Sequence, residues 1–474
     1  MADVSAKLPE EILVQVLPDF GLGRGESAWT AGLAVSRRWR AVAWNHPSYW
    51  SDVDFQMSRG PRTVHLGAIR LTRSGNRPFR LSLWMPGVRS GDRVRLFREI
   101  VLPLVTEHLH RIHTLRVMHI PLDLLHDLLA SITVPAAVLT SFTLTVDTSA
   151  DSGRFSDHYS FSTLPHDLFA GRPALLRHLV LKNVGHFLQP VLASHQRPTW
   201  CSEIDKLSLE YHTMLPRVLN WKDSMPRVRV LDIHSKDNFL EAGSRIDLDR
   251  INLYIAAIDP VHHPIAQVSI VHAYVPSNQL NYALLSHLGD DGDLVMSLGW
   301  ADTADAEFTV TFSPSHQPQL QRVFHGALEV WRAAWPYDKS HPAAGNYWTS
   351  RNIGMATHGL FTQHETFQRV VIFQAPITLL AALAHHLPRC LPGLQEVVLF
   401  VTAEPGWPVW GDCQLARHRV PIDCPTLKHV VIKDVYQCRR LRLLDEPATR
   451  SLLEHLFTPP PLVTLENMIF DFPN

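Results

Sequence analysis

The chain has 474 residues, 44 Lys and Arg against 45 Asp and Glu for a formal net charge of −1, and 46% hydrophobic against 19% charged residues. That length exceeds one ordinary hydrophobic core, so two or three domains or one extended repeat body are expected, and the sparse charge argues against long disordered tails. Without a basic excess, nucleic-acid binding is not indicated.

The opening Met-Ala-Asp-Val-Ser-Ala-Lys has no apolar signal core, and the run from Val370 to Ala384 is interrupted by Gln374 and Pro376 and is too short to span a bilayer, so no membrane association is expected. Cysteines stand at 201, 390, 413, 424 and 438. Their odd number and late clustering fit reduced thiols in a cytoplasmic or nuclear protein better than a disulfide framework.

A first helix is predicted from Pro9, whose missing N–H costs nothing at the first helical position, with Glu10 and Glu11 on the positive end of the dipole. Ile12, Leu13 and Val16 then make two adjacent apolar stripes, one for the module's own core and one left for a partner. A second helix is expected from Ser27, lined by Trp29, Leu33, Val35, Trp39 and Val42, and stopped by Asn45-His46-Pro47. The same pattern also suits the first two helices of a larger core.

The succession Leu8-Pro9-Glu10-Glu11-Ile12-Leu13, then Val35-Ser36-Arg37-Arg38-Trp39-Arg40-Ala41-Val42-Ala43 and a closing Trp50, resembles the F-box. Members of that family bind a Skp-type linker protein and through it a cullin, bringing targets to a ubiquitin ligase. By this resemblance Leu8 and Pro9 match the opening pair, Ile12, Leu13 and Val16 the first helix, Leu33 and Val35 the middle, and Trp39 and Trp50 the two aromatic anchors. The sequence departs from the family at Gly21 to Gly25, which lengthens the first connection, at Ser36, where Cys is usual, and at Tyr49, usually aliphatic. The segment after it, with Arg73-Ser74-Gly75 and Pro78 before an alternating strand, is similar to that following the F-box in proteins of mushroom-type fungi.

From Trp50 onward helical spacing gives way to alternating runs. His65 to Leu83 reads as a helix end, a glycine turn and a strand. A unit apolar-x-x-apolar-x-apolar then recurs at Ile112/Leu115/Val117, Leu139/Phe142/Leu144, Leu176/Leu179/Leu181, Ile204/Leu207/Leu209, Val228/Leu231/Ile233, Ile265/Val268/Ile270, Leu394/Val397/Leu399, Leu427/Val430/Ile432 and Leu465/Met468/Phe470. It places two inward side chains on a short strand and a third in the turn before it, so copies can stack into a parallel sheet. With helix-capable pieces such as Leu122 to Leu129 between copies, the body resembles a degenerate leucine-rich-repeat plan; an ordinary α/β domain is the alternative. The expected fold is therefore α/β, with a small all-helical F-box at 5–55 followed by an irregular leucine-rich-repeat-like solenoid at 56–289 and 391–474.

Residues 290–390 interrupt the rhythm as an insertion. Asp293 to Trp300 and Glu307 to Phe312 read as strands of a hairpin, and Leu320, Val323, Phe324, Ala327 and Trp331 as a helical stripe. Two aromatic loops, at Tyr347-Trp348 and Trp407 to Trp410, are candidate target contacts, because Trp favours binding hot spots.

No catalytic signature is present. Gly21-x-Gly23-x-Gly25 follows a helix and lacks a downstream Lys-Ser/Thr, which excludes a phosphate cradle. Cys413, His418, Cys424 and Cys438 match no common zinc spacing. No metal or cofactor is expected. The reading is a non-enzymatic substrate-recognition subunit of an SCF-type cullin ligase with an unidentified target protein. Its alternatives are a scaffold whose F-box never enters a ligase, and an enzyme with an unrecognised site between 290 and 420.

Overall fold

The structure, a computed structural model, describes residues 9, 12–13, 36–88, 91–147, 165, 167–171, 175–183, 199–211, 225–235, 265–272, 285, 288–289, 292–300, 308–326, 364–376, 389–401, 421–434, 453 and 456–466. It is mixed α/β, dominated by mostly parallel sheet. Contacts divide the chain into two compact units, Met1–Val228 and Arg229–Asn474, so residues on both sides of position 56 belong to one unit.

In the first unit, helix α1 (Arg37–Asn45) precedes strand β1 (Asp52–Gln56), helix α2 (Pro61–Arg73) and strand β2 (Phe79–Trp84). Helices α3 (Gly91–Leu96) and α4 (Leu102–His108), joined through a π-helical stretch, lead to β3 (Ile112–Ile120), and α5 (Leu122–Ser131) leads to β4 (Ser141–Val146). Strands β5 (His178–Lys182) and β6 (Lys206–Tyr211) follow. Each strand pairs in parallel with the next.

The register brings the sequence units side by side. Val53, Leu81, Leu115, Phe142, Leu179 and Leu207 form one row across the sheet, and Phe55, Leu83, Val117, Leu144, Leu181 and Leu209 the next, all buried. Each such side chain stabilises the fold by about 1.5–3 kcal/mol relative to exposure. The residue three places before the strand pair closes a tight turn through its N–H: Leu139 donates to the Ala136 carbonyl at 3.2 Å, Ile204 to Cys201 at 3.3 Å, Val228 to Met225 at 3.2 Å. The acceptor residues of these turns are themselves buried. Trp50/Val53/Phe55 has the same apolar spacing, with Trp50 ending the 3-10 turn Pro47–Trp50, so the unit begins earlier than the repeats read from sequence, and the closing Trp of the F-box-like segment also stands in the turn before the first strand.

Helix α2 lies against β1. A Cβ on Gly67 would sit 2.7 Å from the Phe55 ring, so only glycine permits the approach. Arg111, at the start of β3, closes the far end of α2: its guanidinium donates to Leu71 O at 3.1 Å, to Ser74 Oγ at 3.0 Å and to Gly75 O, and lies 4.8 Å from the Phe79 ring centroid. A cation at the negative end of the helix dipole is favourable there.

The second unit contains β7 (Val230–Ser235), β8 (Gln267–His272), β9 (Leu294–Trp300), β10 (Phe308–Pro314), β11 (Gln321–Gly326), α6 (His364–Gln368), β12 (Val370–Pro376), β13 (Glu396–Val401), β14 (Ile422–Asp423), β15 (His429–Asp434), β16 (Phe457–Thr458) and β17 (Leu462–Glu466). Its strand order is β7-β8-β11-β10-β9-β12-β13-β15-β17, with β14 and β16 forming a separate short ladder. The chain passes from β8 to β9, leaving room, then folds back through β10 and β11 to fill it. β10 is antiparallel to both neighbours, and the other described pairings of this sheet are parallel.

The expected hairpin of Asp293 to Trp300 with Glu307 to Phe312 is therefore present as β9 and β10, paired Val310 to Leu298 and Phe312 to Met296. The helical stripe expected from Leu320 is not: Gln321–Gly326 is a strand parallel to β8. Short apolar runs satisfy both periods, and here the ladder with β8 and β10 outweighs the helix (Ala327 and Trp331 lie outside the described residues). The last repeat is also displaced. Val463, which is buried, pairs with Val430, and Leu465 pairs with Ile432, so this strand continues the parallel ladder before Met468 and Phe470, which lie outside the described residues.

Candidate partner-docking surfaces

Ser36 is extended, at φ −158° and ψ 168°, and its Oγ accepts from the Trp39 N–H at 3.3 Å. This caps α1 and breaks the longer helix expected from Ser27, because a side-chain oxygen there satisfies a donor that the first turn cannot. His46 is extended and ends α1, as the Asn45-His46-Pro47 signal predicts. Trp39, Val42 and Ala43 from α1 join Leu13, Tyr49 and Trp50 in one buried cluster.

The expected linker-binding residues thus divide. Leu13, Trp39 and Trp50 are interior, at 0%, 7% and 1% exposure, while Pro9 is exposed and Ile12 is 41% exposed. Leu13 N–H donates to Pro9 O at 3.3 Å, the spacing of a helical turn, so neighbours 12 and 13 point to different stripes. Leu8, Val16, Leu33 and Val35 lie outside the described residues, as do the target candidates Tyr347, Trp348, Trp407 and Trp410.

The rim of the cluster is tied to α2. The Trp44 carbonyl accepts from Trp50 Nε1 at 3.3 Å and from Arg73 Nη1 at 3.4 Å, and the Arg73 guanidinium stacks 3.7 Å from the Trp44 ring centroid. Burial pushes the Tyr49 hydroxyl up to about 12 against the opposing effect of Arg70, so it stays neutral at physiological pH.

The face of the first sheet opposite the apolar rows is polar. Asp52, Asp54, Arg80, Ser82, Arg116 and Thr143 stand on it by alternation and are half-buried or exposed. Asp52 lies 3.9 Å from Arg80, and Asp54 accepts from Gln56 Nε2 at 2.6 Å. Partial burial raises both carboxyls, an effect that Arg80 opposes at Asp52 and the Gln56 hydrogen bond opposes at Asp54.

Sequence reasoning missed a cluster on this face. Opposite β4, Val117 faces Leu144 and Ile120 faces Val146, so Met118 and His119 together oppose Thr145 in a bulge. Strict alternation would send His119 inward and Ile120 outward. The extra residue keeps Ile120 buried and sets the His119 ring edge-on to Trp84, centroids 5.3 Å apart. His119 takes φ 57°, a left-handed conformation that costs about 1–3 kcal/mol outside glycine. Trp84 is 42% exposed, and Arg116, two residues before Met118, is exposed and, with Arg80, favours the charged form of the Asp52 carboxyl. The outward Trp84 was legible, since Phe79, Leu81 and Leu83 set the inward parity; the bulge was not.

Cys201 and Cys424 are buried turn acceptors, and burial pushes both thiols up, Cys424 to about 12; Cys390 is exposed. Among the described residues no group of three His, Cys, Asp or Glu side chains is placed to hold a metal, and no helix is long and apolar enough to cross a membrane. Compared with known proteins, the chain matches no family model, and no curated protein matches it.

Proposed function

We propose that the chain is the substrate-recognition subunit of an SCF-type cullin ubiquitin ligase, working in the cytoplasm or nucleus. The N-terminal helices act as an F-box that clips onto a Skp-type linker protein, and the strand-and-helix body, read as an irregular leucine-rich-repeat-like solenoid, captures a target protein. The observation that carries this reading is the split between neighbours: Leu13 is sealed into the cluster of Trp39 and Trp50, while Ile12 and Pro9 face outward. An exposed apolar stripe beside a filled core is what a dedicated adaptor covers. Catalysis belongs to the ligase partners; this chain raises the effective concentration of target lysines at the conjugating enzyme.

The test is affinity purification of the tagged full-length chain under proteasome inhibition, with linker and cullin quantified by mass spectrometry. Pro9→Ala with Ile12→Ser is expected to lower linker recovery at least about tenfold while leaving the melting temperature near wild type, because both side chains are outside the core. Unchanged linker recovery overturns the contact face. Linker recovered without any cullin points instead to the non-ligase scaffold.

A further inference from the structure

The second unit holds a buried cation whose bonding is incomplete. Arg322 on β11 is 0% exposed and stands in the inward row between Val268 on β8 and Phe312 on β10. Burial pulls its guanidinium down to about 10, so it keeps its charge at neutral pH. Val268, Val310, Phe312 and Pro314, buried residues that share its face on the flanking strands, are all apolar, and Phe312 packs edge-on to Phe367 with ring centroids 6.0 Å apart.

The bonds that Arg322 makes fix how its planar fork lies. Nη1 donates to Gln321 O at 2.8 Å and, at 3.5 Å, to Ile265 O and Ala266 O, where the chain enters β11 and β8. Nε and Nη2, which form one edge of the guanidinium plane, have no hydrogen-bond partner among the described residues. Two other arginines that tie down chain ends use two nitrogens each. Arg111 donates through Nη1 and Nη2, and Arg369 through Nε to Gly292 O at 3.1 Å and Nη1 to Gly289 O at 2.6 Å. Tying down the starts of β8 and β11 occupies one nitrogen of Arg322 and leaves its Nε/Nη2 edge unexplained.

Chemistry narrows what such an edge takes. Two parallel N–H donors on a planar cation match the two oxygens of one carboxylate. A buried polar group without a partner is costly and a buried charge more so, hence this donor pair calls for an anionic acceptor. Water answers poorly, because it brings no charge and meets apolar side chains with its remaining bonds. A phosphate dianion brings one charge too many, and the surplus stays unpaired among the same side chains. One carboxylate neutralises the cation, and the apolar row beside it suits a hydrocarbon body.

We infer that the Nε/Nη2 edge of Arg322 binds the carboxylate of a small apolar monocarboxylic acid on the inward face of the second unit. This site goes beyond the receptor reading and does not depend on it.

Benzoate and hexanoate are the probes, with benzamide and hexanamide as neutral controls and phosphate as the competing anion, each titrated calorimetrically into the full-length chain at constant ionic strength. At least one carboxylate is expected to bind at least about tenfold tighter than its amide and than phosphate. Arg322→Met, which removes fork and charge, and Arg322→Lys, which keeps the charge without the fork, are each expected to weaken it at least about tenfold. Saturating carboxylate is expected to raise the melting temperature of the wild type and to leave that of Arg322→Met in place. No carboxylate binding up to about 10 mM, equal binding of acid and amide, tighter binding of phosphate, or undiminished binding by both variants overturns the site. So does an Arg322→Met chain that melts below the wild type without added carboxylate, since the chain itself then supplies the counter-charge.

Discussion

Two buried arginines set the two units apart. In the first unit Arg111 sits at the end of α2, donating to the Leu71 and Gly75 carbonyls and to Ser74 Oγ, with the Phe79 ring against its face. In the second, Arg322 on β11 is fully buried in the inward row between Val268 and Phe312, where the repeat places aliphatic side chains. Its Nη1 donates to Gln321 O at 2.8 Å and, at 3.5 Å, to Ile265 O and Ala266 O, while Nε and Nη2 have no hydrogen-bond partner among the described residues. Burial pulls its guanidinium down to about 10, so it is still charged at neutral pH and the desolvation cost stands.

The difference follows from topology. The first unit adds strands one after another in a single direction, and each inward row is apolar throughout. The second folds a reversed strand into the stack, and what survives is parity: Val268, Arg322, Phe312, Met296, Phe373 and Val397 stay in one row although strand direction changes twice. A sheet preserves the alternation of faces before it preserves residue chemistry, because a slip of one position would expose a whole strand's core side chains.

That contrast can be broken by making the same substitution in both units. Arg111→Met is expected to cost about 2–4 kcal/mol in urea unfolding, since it removes the charge-assisted hydrogen bonds to Leu71 O, Ser74 Oγ and Gly75 O at the end of α2. Arg322→Met is expected to act with the opposite sign, raising stability by about 1–3 kcal/mol as a buried cation gives way to an apolar side chain of similar length. If Arg322→Met instead destabilises, the second unit depends on that charge and the contrast fails.

A smaller effect sharpens the picture at β1. The Asp54 carboxyl is raised in the folded chain, so the folded state favours its neutral form. Ionisation therefore costs stability, a cost absent below the ordinary value of 3.8 and fully present above the raised one. Asp54→Asn, which can still accept from Gln56, is expected to equal or exceed wild type by less than about 1 kcal/mol at neutral pH. The advantage should vanish as pH falls toward 3.8, and melting temperatures across that range provide the check. An advantage that grows with acid would mean that the ion pairs around β1 dominate instead.

Much of the sheet was legible because a strand pair and its turn are written within six residues. Phe142 and Leu144 meet Leu179 and Leu181 as their spacing predicts, and Leu231 and Ile233 meet Val268 and Ile270. β11 was obscured twice over: its apolar residues also fit a helix, and one inward position is Arg322. The candidate site was less legible. Trp84 could be assigned to the outer face by parity, but His119 reaches it only through a bulge that depends on β4, and the burial of Trp39 and Trp50 depends on their meeting Leu13 and Tyr49.

By itself, then, the sequence determined which side chains face inward in the strands that carry the repeated unit, β11 and the end of β3 excepted, and where the turns before them close, since pleat period and turn geometry are local properties of the backbone. Only the tertiary structure decided that β10 and β11 fold back to fill the space between β8 and β9, that Trp50 serves both the helical cluster and the first strand's turn, and that His119 is turned out beside Trp84. Those outcomes depend on contacts between residues far apart in the chain, where the burial gained by one pairing is weighed against every other pairing the same residues could make.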